Sequence, residues 1–169
     1  MLIALIGFMG AGKTSVGRLL AQRLDLPFVD ADQAIEQKTG RTIADLFTAD
    51  GEQGFRVVEK EVVADLLGHS DAVVALGGGA VEDAACRERL REATVVHLDV
   101  DLHEALRRAG TGNDRPMLAA HDPGALHARR RPLYESIADI SVVSNDPVEE
   151  VVDDLLRLLD PPDDPPEQS

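Results

Sequence analysis

The sequence predicts an α/β fold in which a parallel sheet lies between layers of helices. Two observations carry this. Short runs at residues 2–6, 27–30, 72–76, 94–98 and 140–143 read as strands and alternate with segments of helical periodicity, the pattern of strands joined by helical crossovers. Aromatic residues are only 3% of the chain and Trp is absent, so the core must be built from Ala, Val, Leu and Ile. That composition suits strands buried on both faces.

Each element has its own signal. Leu2-Ile3-Ala4-Leu5-Ile6 is an apolar run stopped by Gly7 and reads as a buried strand. Residues 13–24 place Val16, Leu19, Leu20 and Leu24 on one side of a helix. Pro27-Phe28-Val29-Asp30 is a second strand ending in acid. Residues 33–38 read as a helix stopped at Gly40, and 42–47 as a second short one. Gly51 opens a longer helix to Leu67 with Phe55, Val58, Val62 and Leu66 on its core stripe. The third strand, from Ala72 to Leu76, is cut by Gly77-Gly78-Gly79, and a helix follows over 83–91. After the fourth strand come a helix over 102–108, a glycine-containing loop over 110–114, and a helix over 123–137 with an interruption at Pro132. The fifth strand leads to a last helix that Pro147 starts and Leu159 ends.

A chain of 169 residues fits one domain, here residues 1–159. Residues 160–169 are acidic and Pro-rich with no apolar anchor, so a disordered tail is expected. The 31 acidic against 17 basic side chains give a net charge of −14. Such a chain is a poor general binder of nucleic acid or of anionic membranes. Any anion it binds must meet a local cluster of Arg and Lys. Cys86 is the single cysteine, which rules out an intrachain disulfide and points to a reducing compartment. No apolar run is long enough to span a membrane, and no basic segment precedes the first strand as in a signal peptide. A cytoplasmic protein is expected. The five histidines show no metal-ligand spacing.

The chemistry concentrates at the ends of the strands. Gly7-Phe8-Met9-Gly10-Ala11-Gly12-Lys13-Thr14 matches the P-loop pattern and sits where it must, between a strand and a helix. Its glycines let backbone N–H groups wrap a phosphate, Lys13 can reach the β- and γ-phosphates, and the Thr14 hydroxyl can ligate Mg²⁺. Asp30 and Asp32 flank Ala31 at the carboxyl end of the second strand, the edge at which open α/β sheets bind ligands. One acid can help hold Mg²⁺ and the other can orient or deprotonate an attacking hydroxyl. Helix capping explains one of them but not both. Arg56 and Glu59 share a helix face, as a surface ion pair also would. Three successive glycines at 77–79 permit close backbone approach to a ligand, where a tight turn needs only one or two. Arg107, Arg108 and Arg115 bracket a loop, and Arg129-Arg130-Arg131 precede Pro132. These are the dense basic patches of an acidic chain, suited to a triphosphate and an anionic substrate.

In this order, the motifs resemble the shikimate kinase family over nearly all of residues 1–159. The residues carrying the resemblance are the P-loop, Val29-Asp30-Ala31-Asp32, Ile35-Glu36, Gly51-Glu52 with Phe55-Arg56 and Glu59, Leu76-Gly77-Gly78-Gly79, Arg115-Pro116-Met117-Leu118, and Arg130 four residues before Tyr134. The P-loop is common to many NTPases; the other elements, in sequence, discriminate strongly.

The resemblance implies a three-layer α/β/α P-loop kinase fold with a five-stranded parallel sheet of order 2-3-1-4-5. It implies a substrate-binding segment at about 31–60 and a lid at about 109–121. It implies transfer of the ATP γ-phosphoryl group to the 3-hydroxyl of shikimate, in the aromatic amino acid route, by a monomer. Lys13, Asp32 and Arg115 would be catalytic. ATP would meet Gly10, Ala11, Gly12, Lys13, Thr14, Ser15, Arg108, Arg115 and Pro147. Shikimate would meet Asp32, Arg56, Gly77, Gly78, Gly79 and Arg130, with Glu59 beside them. Mg²⁺ would be held by Thr14 and Asp30, partly through water. Cys86 and the acidic tail depart from the family pattern away from this site. Two other readings start from the same residues: a P-loop kinase for another small acceptor such as gluconate or a nucleotide, and a nucleotide-binding switch without turnover. Arg56 and Arg130 would suit any small carboxylate, gluconate included, but the Asp-Ala-Asp and triple-glycine pair together favour shikimate, and a switch would have no need for Asp32, Arg56 and Arg130.

Overall fold

Leu2–Ile6 forms β1, and every residue of it is buried, as the centre of a sheet covered on both faces requires. The computed structural model describes residues 1–110, 117 and 121–160. Around β1 run Phe28–Asp30 (β2), Ala72–Ala75 (β3), Thr94–Asp99 (β4) and Ile140–Val143 (β5). All pairings are parallel and the order is β2-β3-β1-β4-β5. The register sets Leu5 beside Ala75 and Val96, and Asp30 beside Ala75, so the carboxyl ends of β1, β2 and β3 open at one edge.

The helices are Lys13–Leu24 (α1), Ala31–Thr39 (α2), Ile43–Leu66 (α3), Ala84–Leu90 (α4), Leu102–Ala109 (α5), Pro123–Ile137 (α6) and Val148–Leu159 (α7). The main core is made of aliphatic residues from the strands and from the faces of α1, α4, α6 and α7. A smaller cluster of Ile35, Leu46, Phe55 and Val62 lies between α2 and α3, with the Phe47 and Phe55 rings 4.6 Å apart. It fixes the two helices that carry the acids and Arg56.

Beyond shifts of one residue at several ends, such as the third strand stopping at Ala75 and the last helix starting at Val148, four features differ from the sequence reading. The helix expected from residue 33 begins at Ala31, because Asp30 caps it: its carboxylate accepts from the Asp32 and Gln33 amides. The pieces at 42–47 and 51–67 form one element, α3, broken only at Gly51, whose φ of 71° and ψ of −179° lie outside the helical region. Between Gly79 and α4 stands a 3₁₀ turn, Ala80–Glu82, absent from the sequence reading; Asp83 then caps α4 through the Cys86 amide. Pro132 does not interrupt α6, which continues past it to Ile137. It removes one backbone donor without ending the helix. Arg115, residues 111–116 and 118–120 of the expected lid, and the tail from 161 onward lie outside the described residues.

Candidate active site

The loop from Gly7 to Thr14 joins β1 to α1 with positive φ at Gly7 (148°), Gly10 (77°) and Gly12 (87°). A side chain at Gly7 or Gly10 would run into the carbonyl oxygen of Leu98 or of Ala105, so neighbouring backbone presses the loop into its curve. Gly12 precedes α1 with no side-chain cap. The first N–H groups of the helix are left for an anion, which the helix dipole also favours. Lys13 Nζ donates to the carbonyls of Gly7 (2.8 Å) and Phe8 (3.1 Å), folding its charge over the loop. Arg108 reaches across from α5, with Nη1 3.3 Å from the Gly10 carbonyl and Nε 2.8 Å from Glu104. Hydrogen bonds from Arg107 and Arg108 hold the Glu104 carboxyl down at about 2, so it remains the counter-anion of both arginines.

Asp30 answers the question of capping against function by doing two things. Its Oδ1 caps α2, and its Oδ2 accepts the Thr14 hydroxyl at 2.6 Å. Asp32 sits on the first turn of α2, pointing into the cleft. Burial, and then the charge of Asp30, raise its carboxyl above the usual range, while Lys13 and Arg56 pull the other way. It is thus a more basic carboxylate than an exposed one.

The three glycines after β3 serve three different side chains. A Cβ at Gly77 would stand 2.9 Å from Glu59 and 3.3 Å from Asp32. One at Gly78 would stand 3.4 Å from both the Arg130 guanidinium and the Tyr134 hydroxyl, and one at Gly79 would overlap the Arg56 guanidinium. Arg56 and Glu59 are no solvated pair: Nη1 to Oε1 is 2.6 Å, and Glu59 is only 5% exposed. Burial raises the Glu59 carboxyl despite Arg56 beside it. Arg130 is 1% exposed and holds Glu82 at 3.3 Å, and its Nε has no hydrogen-bond partner among the described residues. A buried guanidinium with donors to spare suits an incoming anion.

These groups line one cleft of about 790 Å³. Gly10, Gly12, Lys13, Thr14, Ser15, Asp30 and Arg108 form its phosphate end, and Asp32, Arg56, Glu59, Gly77, Gly78, Gly79 and Arg130 its other end. Ala11 is buried beneath the loop, and Pro147 stands before α7; neither is part of the lining. Arg115 lies outside the described residues. Several contributors are given no part in the site by the sequence reading. Glu82 on the 3₁₀ turn pairs with Arg129 at 2.9 Å as well as with Arg130. The Tyr134 hydroxyl donates to the Gly78 carbonyl at 2.5 Å and ties α6 to the glycine triplet. Ile43, Phe47 and Phe55 line an apolar wall. The apolar wall had a signal in the spacing of Phe47 and Phe55; Glu82 had none, because its partners are 47 and 48 residues away.

A shikimate kinase family model matches residues 9–160. The shikimate kinase of Rhodococcus erythropolis is 49% identical over 142 residues, spanning 82% of this chain and 84% of its own length. That of Mycobacterium avium is 48% identical over 145 residues, spanning 83% and 82%. The structure of an Acinetobacter baumannii shikimate kinase in complex with shikimate superimposes with a TM-score of 0.90 at 38% identity, covering 94% of this chain and 92% of that one. With the P-loop, the two acids after β2 and the arginine-backed glycine triplet in one cleft, and relatives of this identity over most of its length, the chain belongs to the shikimate kinase family.

Proposed function

We propose that the protein transfers the γ-phosphoryl group of ATP to the 3-hydroxyl of shikimate, giving shikimate 3-phosphate and ADP. One observation carries the reading: a phosphate-binding loop and a pair of buried or half-buried arginines face the same cleft, with Asp32 between them. The loop amides and Lys13 hold the phosphates. Lys13 leaves the Gly7 and Phe8 carbonyls to do so, exchanging two neutral acceptors for charged ones. Arg56 and Arg130 hold the shikimate carboxylate, and the Gly77–Gly79 backbone allows the ring to lie close. Asp32 orients the attacking hydroxyl and takes its proton as the oxygen bonds to phosphorus. Arg115, placed by the family pattern, steadies the charge on the phosphoryl oxygens.

The residues present fit a magnesium ion. The Thr14 hydroxyl and the Asp30 carboxylate are hard oxygen ligands 2.6 Å apart at the phosphate end. No group of three or more His, Cys, Asp or Glu capable of holding a metal occurs among the described residues. Thr14 and Asp30 would hold such an ion at the phosphate end, where it would offset phosphate charge. The cleft needs no residue from a second copy, and the enzyme is read as a monomer. Among the described residues no helix is long and apolar enough to cross a membrane. Burial pushes the Cys86 thiol up to about 12, so it stays protonated and is a poor nucleophile, in keeping with no catalytic part.

The test is ADP release measured with shikimate, gluconate and nucleotides as acceptors. Turnover with shikimate alone, lost in Lys13→Ala with an unchanged circular dichroism spectrum, is the expected result. Turnover with another acceptor, or tight ATP binding with none, replaces the reading.

A further inference from the structure

The geometry points to Glu52 as a positioning residue for the acceptor-binding Arg56, with His121 setting how strongly Glu52 competes for that arginine. This rests on the shikimate reading above. Glu52 follows the Gly51 break and lies one helical turn before Arg56. Its two oxygens face different cations. Oε1 is 3.6 Å from Arg56 Nη2, and Oε2 is 3.0 Å from His121 Nε2. Arg56 holds Glu59 at 2.6 Å, and its Nη2 lies 3.8 Å from Met117 Sδ. A row His121–Glu52–Arg56–Glu59 thus leads from the residue before the Asp122 cap of α6 into the acceptor end of the cleft.

Two carboxylates of the protein claim Arg56, whose task is to hold a third. Glu59 is buried and its claim is fixed by packing. Glu52 is 39% exposed, and its claim depends on His121. The His121 contact holds Oε2 away from Arg56; without it Glu52 can turn both oxygens toward Arg56 and compete more strongly with the incoming anion. Glu52 itself remains an anion meanwhile: the His121 hydrogen bond, then the Arg56 charge, hold its carboxyl below the usual range against a partial burial. The other charged groups near the row are Lys60 on α3, Glu82 and Asp83 after β3, and Arg130 on α6. Each has its own partner, Lys60 with Asp83 at 3.2 Å and Arg130 with Glu82 at 3.3 Å. The Asp122 carboxylate, next to His121, accepts from the Ala125 amide.

The test measures kcat and both KM values for the wild type, His121→Ala, Glu52→Gln and the double variant at one pH. Shikimate binding without nucleotide is measured by calorimetry alongside. His121→Ala raises the shikimate KM by about two- to fivefold, the size of a partly exposed ion pair. Glu52→Gln lowers it, and the double variant matches Glu52→Gln. Turnover and the ATP KM move little in all of them, which a general loosening of the fold would not spare. A His121→Ala enzyme with the wild-type shikimate KM overturns the inference, as does a His121 effect that persists in full without Glu52. Wild-type turnover on another acceptor with no shikimate binding refutes the functional reading instead, and the inference with it. Shikimate binding without turnover leaves the calorimetric series to decide the row.

Discussion

Gly79 lies directly against the guanidinium of Arg56: a Cβ built on Gly79 would stand 2.7 Å from Cζ and Nη1. The guanidinium is the far end of a flexible side chain, held in place by Glu59 and Glu52 of its own helix, and can give way where backbone could not. Gly79→Ala should therefore displace the arginine rather than unfold the chain. Losing one charge-assisted contact to the substrate predicts a shikimate KM higher by roughly 10- to 100-fold with a much smaller change in kcat. Arg56→Lys should do the same, because an ammonium cannot replace a planar fork. Steady-state kinetics with an unchanged melting temperature checks both.

Asp32→Asn keeps the shape of the side chain and removes its basicity. The expected loss is about 10²- to 10⁴-fold in kcat. Asp30→Glu should cost less, since a carboxylate remains for Thr14 and for the α2 cap. A near-native kcat in Asp32→Asn would reduce Asp32 to an orienting group.

Arg115→Ala tests a role that the family pattern assigns. A cation delivered to the transferring phosphoryl acts at the transition state, so kcat should fall by about 10² or more while the shikimate KM moves modestly. The contrast with Arg56→Lys is the measurement: one variant changes kcat, the other KM.

His97 gives a pH dependence of stability. It lies 2% exposed on β4, its ring 5.2 Å from that of Tyr134, and burial lowers its proton affinity below the ordinary histidine value. The unfolded chain therefore binds more protons than the native one below about pH 6.5, and stability falls as pH drops through that range. Asp32 and Glu59, raised by burial, act with the opposite sign at lower pH. Melting temperatures of wild type and His97→Phe between about pH 7.5 and pH 5.5 separate the two: the variant should lose less stability on acidification.

Local signals carried much of this molecule. The strands were visible as short aliphatic runs because a parallel sheet buries both faces, and the P-loop because its residues are contiguous. Asp30 and Asp32 were visible as a pair, but which one caps α2 depends on a carboxylate turned back on its own helix. The 3₁₀ turn escaped because three residues carry no periodicity, and with it went Glu82. Arg129, Arg130 and Arg131 read as one basic run, yet the helix fans them apart. Arg129 and Arg130 meet Glu82, Arg131 meets Asp99 at 2.8 Å, and Arg130 alone of the three is buried. Helical geometry sorts neighbours in sequence onto different faces, and only the tertiary partner tells which face is which.

The hydroxyl of Tyr134 on the Gly78 carbonyl has a practical consequence. The chain contains one tyrosine and no tryptophan, so its intrinsic ultraviolet emission comes from a single ring. That ring stacks near His97, neighbours Arg130, and holds the backbone on which the acceptor is proposed to rest. Unlabelled protein thus carries a built-in optical reporter at the acceptor end of the cleft, and a stopped-flow trace of its fluorescence would follow acceptor binding in real time, separately from phosphoryl transfer.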